Sequence, residues 1–231
     1  MKKLVVLSGA GMSAESGIAT FRDSDGLWEQ YRVEDVATPE GFAANPALVL
    51  DFYNQRRRQL STCKPNAGHY GLAALEKDFE VHIITQNVDN LHERAGSSHV
   101  LHLHGELTKS CSVKDLQTCY DIPPDKPDIH LGDKDPFGNQ LRPFIVWFGE
   151  AVPMIEPAAR LMQQADIAVV IGTSLNVYPA AGLLDYAPPD CPVFLIDPKN
   201  VATRRRNIHH IKATASEGVL LLMKEFRSLG V

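Results

Sequence analysis

The amino-acid sequence predicts an α/β protein: a doubly wound parallel sheet with a small lobe formed by two insertions. Short runs rich in valine and isoleucine recur along the chain and are almost continuously apolar, as strands covered on both faces are. Stretches with helical spacing of apolar residues separate most of these runs, so strand and helix alternate. Two polar segments, 23–64 and 106–142, break the alternation and are the candidate insertions.

The individual elements follow from this pattern in chain order. Strands are expected at residues 4–7, 81–85, 100–103, 144–148, 167–171 and 193–196. Helices are expected at residues 66–77, 156–165 and 216–226, the last with Ser216 as its cap. The first insertion is mostly helical, whereas the second is rich in proline and has no periodic apolar run.

The domain organisation predicted from these elements is discontinuous. Residues 1–22, 65–105 and 143–231 form the main domain, and residues 23–64 and 106–142 form the small lobe, with a cleft beneath it.

Composition narrows the classes of function. The 231 residues are 44% hydrophobic and carry a net charge of -5, which excludes global disorder and disfavours nucleic-acid binding. No apolar run approaches the ~18 residues of a membrane span, and the apolar stretch at residues 4–7 is too short for a signal peptide. Four cysteines are too few for a disulfide scaffold, so a reducing, cytoplasmic location is expected.

A glycine-rich turn follows the first predicted strand. Gly9-Ala10-Gly11 with Ala14 at the third position approximates the pattern that cradles a pyrophosphate at a strand-to-helix turn. An ordinary tight turn explains this motif equally well when it is taken alone.

Four further polar clusters stand just past predicted strands, where open α/β sheets bind ligands. They are Thr85–His92, Leu101–Glu106, Phe148-Gly149-Glu150 and Gly172–Pro179. Together with Ile18–Arg22 and Gly26–Trp28, these motifs resemble the Sir2 (sirtuin) family of NAD-dependent protein-lysine deacylases, from Leu4 to about Ser216. The resemblance implies a Rossmann-like NAD-binding domain and consumption of NAD to give nicotinamide, O-acyl-ADP-ribose and free lysine.

The resemblance implies three catalytic residues, His104, Asn87 and Asp89. His104 would deprotonate a ribose hydroxyl after the acyl oxygen has attacked the ribose, a task suited to imidazole. His102 lies on the same face of the strand, so spacing alone does not choose between the two histidines. Asn87 and Asp89 would orient nicotinamide and ribose, although both residue types also cap helices.

The resemblance also implies the NAD contacts. They are Gly9, Ala10, Gly11, Ala14, Thr20, Phe21, Arg22, Trp28, Gln86, Asn87, Asp89, His104, Gly172, Thr173, Ser174, Ile196, Asp197, Pro198 and Ala215. Phe21 would shield the reacting carbon from water, and Asp197 would accept a ribose hydroxyl unless it is only a turn residue before Pro198.

The acylated substrate is expected to bind as an added β-strand between residues 146–150 and 176–178, with contacts from Val146, Phe148, Gly149 and Val177. Tyr53 and Arg56, three residues apart on a helix, resemble the pair found in the subclass that removes malonyl and succinyl groups. A phenol and a guanidinium would clamp the acyl carboxylate. The alternative is a solvated basic helix face, because Arg56, Arg57 and Arg58 are consecutive.

The zinc site usual in the family is not expected here. The second insertion offers only Cys111 and Cys119, whereas a structural zinc takes four ligands. The lobe is then held by packing and prolines. The resemblance implies a monomer, and the net charge and the lack of a long apolar run predict no nucleic-acid or membrane partner. Protein ADP-ribosyl transfer and a non-catalytic NAD-sensing module are the alternative functions.

Overall fold

The computed structural model describes residues 1–18, 31–201, 203, 205 and 208–229. The strands in this part of the chain are β1 (Lys3–Ser8), β2 (Glu80–Thr85), β3 (Val100–His102), β4 (Gly105–Ser112), β5 (Cys119–Asp121), β6 (Leu141–Ile145), β7 (Ile167–Ile171), β8 (Val193–Ile196) and β9 (Ile208–Ile211). The α-helices are α1 (Gly11–Ala14), α2 (Val33–Val36), α3 (Pro39–Ala44), α4 (Pro46–Thr62), α5 (Ala67–Ala74), α6 (Leu91–Arg94), α7 (Ile155–Gln163) and α8 (Ala215–Leu229). Two 3₁₀ segments, Leu75–Lys77 and Ala180–Tyr186, complete the set for these residues.

The main sheet has six parallel strands in the order β3-β2-β1-β7-β8-β9. β1 pairs in parallel with both β2 and β7. The chain therefore adds β2 and β3 on one side of β1 and later adds β7, β8 and β9 on the other side. The carboxyl ends of β1 and β7 therefore flank the point at which the strand order reverses. In doubly wound sheets ligands bind in the crevice at this point.

Both faces of the main sheet are covered by apolar layers. One core cluster packs strand residues such as Val6 and Val169 against α5 and α8, and a second packs Val5 and Val170 against α7 and the segment Ala180–Tyr186. All five residues of β7 and all four of β8 are buried. Burial on both faces explains why these strands are continuously apolar in sequence, and it confirms the predicted α/β class.

In its described residues, the small lobe combines the helices α2, α3 and α4 with a second sheet. This sheet has three antiparallel strands in the order β5-β4-β6, and α4 packs against it. Asn45 caps α4 by accepting a hydrogen bond from the Leu48 amide, and Pro46 is its first residue. Buried residues of α4, including Phe52 and Tyr53, pack with Trp147 in a third core cluster.

Several predicted elements differ from the structure. The strand expected at residues 144–148 is the antiparallel β6, Leu141–Ile145, and belongs to the small sheet. The second insertion contains β4 and β5, which alternate polar and apolar residues too weakly to be recognised. Ser216 is not the cap of α8, which begins at Ala215; the Ser216 amide donates to Glu15. The boundaries of the two domains stay a prediction. No helix in the described ranges is both long and apolar enough to span a lipid bilayer.

Candidate active site

A cavity of about 1070 Å³ opens at the carboxyl edge of the main sheet. Turns that follow β1, β2, β7 and β8 line one side, and α4 with residues 145–150 lines the other. The volume is at the upper limit of ordinary small-molecule sites, which suits a ligand of dinucleotide size. Every predicted site residue in the described ranges lines this cavity; Thr20, Phe21, Arg22 and Trp28 lie outside those ranges.

The glycine-rich turn packs directly on the turn after β7. The Gly11 amide donates to the Gly172 carbonyl at 2.8 Å, and the Gly9 amide donates to Ile171 at 3.0 Å. A Cβ at Gly9 would lie 2.6 Å from the Thr173 Cβ, and one at Gly172, where φ is +62°, would lie 2.3 Å from a backbone nitrogen. These glycines are therefore required because the turns after β1 and β7 pack too closely to admit a Cβ atom.

Ser13 links Asn87 and Asp89, which follow β2. The Asn87 side-chain amide donates to the Ser13 hydroxyl oxygen at 3.1 Å, and that hydroxyl donates to Asp89 Oδ2 at 2.9 Å. The other Asp89 oxygen accepts from the Leu91 amide at 3.1 Å, at the start of α6. Burial raises the pKa of Asp89. Asp89 thus binds the first amide of α6, although the N-cap residue is Asn90, and it also lines the cavity; the part played by Ser13 was missed.

Two histidines near the end of β3 have different surroundings. His104 Nδ1 lies 3.0 Å from the Gln86 carbonyl oxygen, which can only accept, so Nδ1 carries the proton and Nε2 keeps its lone pair. Burial lowers the pKa of His104, although the bond to Gln86 opposes this shift. A neutral imidazole with a free lone pair, lining the cavity, is equipped to act as a base.

His102 is bound on both sides by acceptors. Its Nδ1 lies 3.1 Å from the Asn87 carbonyl oxygen, and its Nε2 lies 2.7 Å from Glu93 Oε1. Although burial opposes the charged form, Glu93 raises the pKa of His102 above its ordinary value. His102 does not line the cavity. The surroundings, not the spacing, therefore distinguish it from His104.

Tyr53 and Arg56 lie on the cavity face of α4. The Tyr53 hydroxyl oxygen accepts a hydrogen bond from Trp147 Nε1 at 3.0 Å, and the Arg56 guanidinium carbon lies 5.9 Å from the centre of the Tyr53 ring. Burial raises the pKa of Tyr53 to about 12 and lowers the pKa of Arg56. A cation and a phenol donor are thus adjacent at one end of the cavity.

The next arginines point elsewhere. Arg57 is buried and donates to the carbonyl oxygens of Leu107 and Pro127, whereas Arg58 is exposed and pairs with Asp128. Only Arg58 fits the solvated helix face considered from sequence.

Apolar side chains flank the cavity mouth. Phe148 is 51% exposed on one side, and Val177 and Tyr178 are 44% and 73% exposed on the other. Gly149 has a φ of +89°, which turns the chain after Phe148. Exposed apolar residues rimming a polar site are typical of a surface that binds another chain.

The far end of the cavity is lined by Ile196, Asp197, Pro198 and Ala215. Asp197 Oδ1 accepts from the Lys199 amide at 2.8 Å, so the turn role considered for this residue is present. Thr173 accepts from the Gln86 side chain at 3.1 Å. Lys199 and Asn200 also line this end and were missed, because no strand or motif marks them.

The second insertion was considered for a metal. Within the residues described, no group of three or more His, Cys, Asp or Glu side chains is placed to hold an ion. Cys111 is buried and Cys119 is exposed, opposite each other on β4 and β5. Besides packing, backbone pairing in the small sheet and polar side chains from α4 hold this lobe.

The fold and cavity define a nucleotide-binding α/β protein with a candidate base, and comparison with known proteins identifies its family. Residues 9–179 match the family model described as Sir2 family. Since this span is most of the 231-residue chain, the chain belongs to the Sir2 family.

Individual relatives agree with this assignment. A Bacteroides thetaiotaomicron protein named NAD-dependent protein deacylase is 63% identical over 223 residues, 95% of each chain. A solved Sir2 homologue mutant in complex with ADP-ribose matches 99% of this chain and 93% of its own, with 38% identity and a TM-score of 0.90. A Sir2 variant with a deacetylated p53 peptide and 3'-O-acetyl ADP-ribose matches 96% of this chain and 92% of its own, with 28% identity and a TM-score of 0.76.

Proposed function

We propose that the protein is an NAD-dependent protein-lysine deacylase that releases nicotinamide, O-acyl-ADP-ribose and free lysine. One observation carries the proposal: the predicted residues in the described ranges surround one cavity, in which His104 is a neutral imidazole with a free lone pair. The name of the bacterial relative and the ADP-ribose of the solved homologue support the same activity.

The described residues fit NAD as the cosubstrate. Gly9, Gly11 and Gly172 let the turns after β1 and β7 pack closely at the edge of the cavity, in the strand-to-helix arrangement that binds a pyrophosphate. Gln86 and Thr173 are hydrogen-bonded to each other in the wall of the cavity and would contact ribose, whereas residues 196–198 would contact the adenine. NAD supplies the glycosidic bond whose cleavage activates the ribose for acyl transfer.

The surroundings of each side chain support the proposed catalytic assignments. His104 Nε2 takes the proton of a ribose hydroxyl, because Nδ1 is already committed to Gln86. Asn87 and Asp89, linked through Ser13, orient the nicotinamide and ribose and stabilise positive charge as the glycosidic bond breaks.

We propose that malonyl-lysine and succinyl-lysine are the preferred substrates and that acetyl-lysine is also accepted. These two acyl chains end in a carboxylate, and Tyr53 and Arg56 offer it a hydroxyl donor and a cation. The substrate peptide adds as a β-strand between residues 146–150 and 176–178, where Phe148 and Val177 border the opening.

The test measures nicotinamide release from NAD with acetyl-, malonyl-, succinyl- and unmodified lysine peptides of one sequence. Release should require an acyl-lysine and should be fastest with malonyl and succinyl peptides. Release without acyl-lysine would instead support ADP-ribosyl transfer to another nucleophile. NAD binding without any release would support a non-catalytic NAD-sensing module.

A monomeric state and a cytoplasmic location are further parts of the proposal. The four cysteines, all of them free, support a reducing compartment. Light scattering of the purified protein tests the monomer, since a dimer would double the measured mass.

A further inference from the structure

The indole of Trp147 and the phenol of Tyr53 meet in the wall of the cavity. Trp147 Nε1 donates to the Tyr53 hydroxyl oxygen at 3.0 Å, and the two residues are 94 positions apart in sequence. Both side chains are buried, with 3% and 1% exposure, and both line the cavity. The hydrogen bond therefore joins the helix α4 to the segment that follows β6.

This hydrogen bond restricts the direction of the phenol proton. An indole N–H only donates, so the Tyr53 oxygen is the acceptor and its own proton points away from Trp147. Because burial raises the pKa of Tyr53 to about 12, the hydroxyl remains protonated at neutral pH. The hydroxyl is then a donor for an acceptor that enters the cavity.

The indole is itself held firmly. The Arg142 guanidinium carbon lies 3.3 Å from the centre of the Trp147 ring, and Arg142 donates to both Glu150 oxygens at 2.6 and 3.1 Å. Glu150 Oε2 also accepts from the Trp147 amide at 2.7 Å. A buried ion pair and a stacked cation thus fix the indole that orients the phenol.

We propose that Trp147 is a specificity-determining positioning residue, which directs the Tyr53 hydroxyl as a donor toward the end of the acyl group. It favours acyl groups that end in a hydrogen-bond acceptor, such as succinyl, over those that end in a methyl group. The inference rests on the proposed deacylase function and adds a residue that acts through Tyr53.

The test is Trp147→Phe, which keeps an aromatic ring and removes the N–H. The ratio of kcat/KM for succinyl-lysine to that for acetyl-lysine should fall about 3- to 10-fold, the value of one neutral hydrogen bond. A role in packing alone would lower both rates together and leave the ratio unchanged.

A double-mutant cycle isolates the route through Tyr53. In the Tyr53→Phe background there is no hydroxyl to orient, so adding Trp147→Phe should not change the ratio further. Thermal unfolding shows whether Trp147→Phe is folded. If it is not, replacing Trp147 with benzothienylalanine removes the N–H and keeps the bicyclic shape.

The outcomes separate this inference from the proposed function. An unchanged ratio in a folded variant, or an equal change with and without the Tyr53 hydroxyl, overturns the role of Trp147. A wild-type enzyme that is active but prefers acetyl-lysine overturns it as well. A wild-type enzyme inactive on every acyl peptide overturns the deacylase function and this inference together.

Discussion

His102 is the last residue of β3, and His104 follows two residues later, beyond the end of the strand. Glu93 and the Asn87 carbonyl take both nitrogens of His102, which favours its charged form. Among the residues that the structure describes, His104 has one acceptor, the Gln86 carbonyl at Nδ1, and its side chain lines the cavity. The decisive contact comes from Glu93, which lies nine residues before His102 in the helix α6, so the spacing of the two histidines does not reveal the difference.

His104→Ala should abolish deacylation while NAD still binds, because the change removes a base and leaves the glycine turns intact. Formation of the deacylated peptide from succinyl peptide measures the first effect, because nicotinamide leaves before the base acts, and titration calorimetry with NAD measures the second. His102→Ala is the matched comparison and should retain most of the rate. Full activity in His104→Ala would remove this side chain from the mechanism.

Arg56→Met should raise KM for succinyl peptides about 10- to 100-fold more than for acetyl peptides, because a charge-assisted hydrogen bond is lost. Steady-state kinetics with both peptides give the comparison. Arg58→Met, on the same helix but paired with Asp128 and exposed, is the control and should change neither KM. Equal effects of Arg56→Met on both peptides would show that the carboxylate clamp is wrong.

One face of the helix α4 lines the cavity, and another face contacts the second insertion in the small lobe. Successive residues of an α-helix differ by about 100° in direction, so adjacent side chains diverge. Tyr53 and Arg56 line the cavity, whereas Asn54 and Arg57 bind the backbone of the second insertion. Asn54 both donates to and accepts from Ile129, each at 2.9 Å. These bonds stabilise an insertion that has little regular structure.

Asn54→Ala should destabilise the protein by about 2 to 4 kcal/mol, because both backbone groups of the buried Ile129 lose their partner. For a chain of this size the expected fall in Tm is about 2–4 °C per kcal/mol. Gln55→Ala, which removes only the bond to Asp51 at the surface, is the control. Similar Tm values for the two variants would contradict the role given to Asn54.

Cys111 and Cys119 offer a test of the β4–β5 register. The Ile122 amide donates to the directly opposite Thr108 carbonyl, which places the cysteine pair at a non-hydrogen-bonded position. Their Cα atoms should be about 4.5 Å apart, at the short limit for a disulfide. Hydrogen peroxide should therefore link them, two thiols giving one disulfide and two waters.

Peptide mapping by mass spectrometry measures this linkage as the loss of two hydrogens. Cys119→Ser should prevent it, whereas Cys191→Ser should not. Absence of a link between Cys111 and Cys119 in the oxidised protein would mean that the strands pair in another register.

At the scale of the whole molecule, two buried histidines join the helices beneath the main sheet. His69 and His92 are 0% and 1% exposed, and their ring centres lie 4.8 Å apart. In the described part of the chain, His69 Nε2 and His92 Nδ1 have no hydrogen-bond partner. Burial lowers the pKa of His69 to about 4 and the pKa of His92 well below its ordinary value.

Acid should therefore destabilise the fold. Above pH 6.5 both histidines are neutral in the folded and unfolded states, so they do not affect the free energy of unfolding. Below pH 6.5 the unfolded chain binds protons that the folded chain excludes. Each histidine then lowers the free energy of unfolding by about 1.4 kcal/mol for each unit by which the pH falls. The decrease ends at the pKa of the histidine in the folded state, which is about 4 for His69.

Urea unfolding at several values between pH 7 and pH 5 measures this effect. The raised pKa of His102 stabilises the folded state as the pH falls, which opposes the effect of the two buried histidines. His102 is present in both the wild type and His69→Gln, so its contribution cancels when the two are compared. The slope of stability against pH should be shallower in the variant by about 1.4 kcal/mol per unit. Equal slopes of the free energy of unfolding against pH for the wild type and His69→Gln would contradict this explanation.

The sequence by itself determined the parts of the molecule that depend on local pattern. β7 and β8 match their predicted bounds because both are short, buried and continuously apolar. The polar clusters at strand ends indicated the cavity, since parallel strands bring their carboxyl ends to one edge.

Only the tertiary structure decided what depends on distant partners. β4 and β5 escaped prediction because pairing across the second insertion, rather than a continuously apolar run, stabilises them. Ser13 acquires its place from Asn87 and Asp89, and Tyr53 acquires the direction of its proton from Trp147, 94 residues away. Hydrogen bonds between side chains that are far apart in sequence produce no local sequence pattern. They form only when folding brings the two side chains together, so only the tertiary structure reveals them.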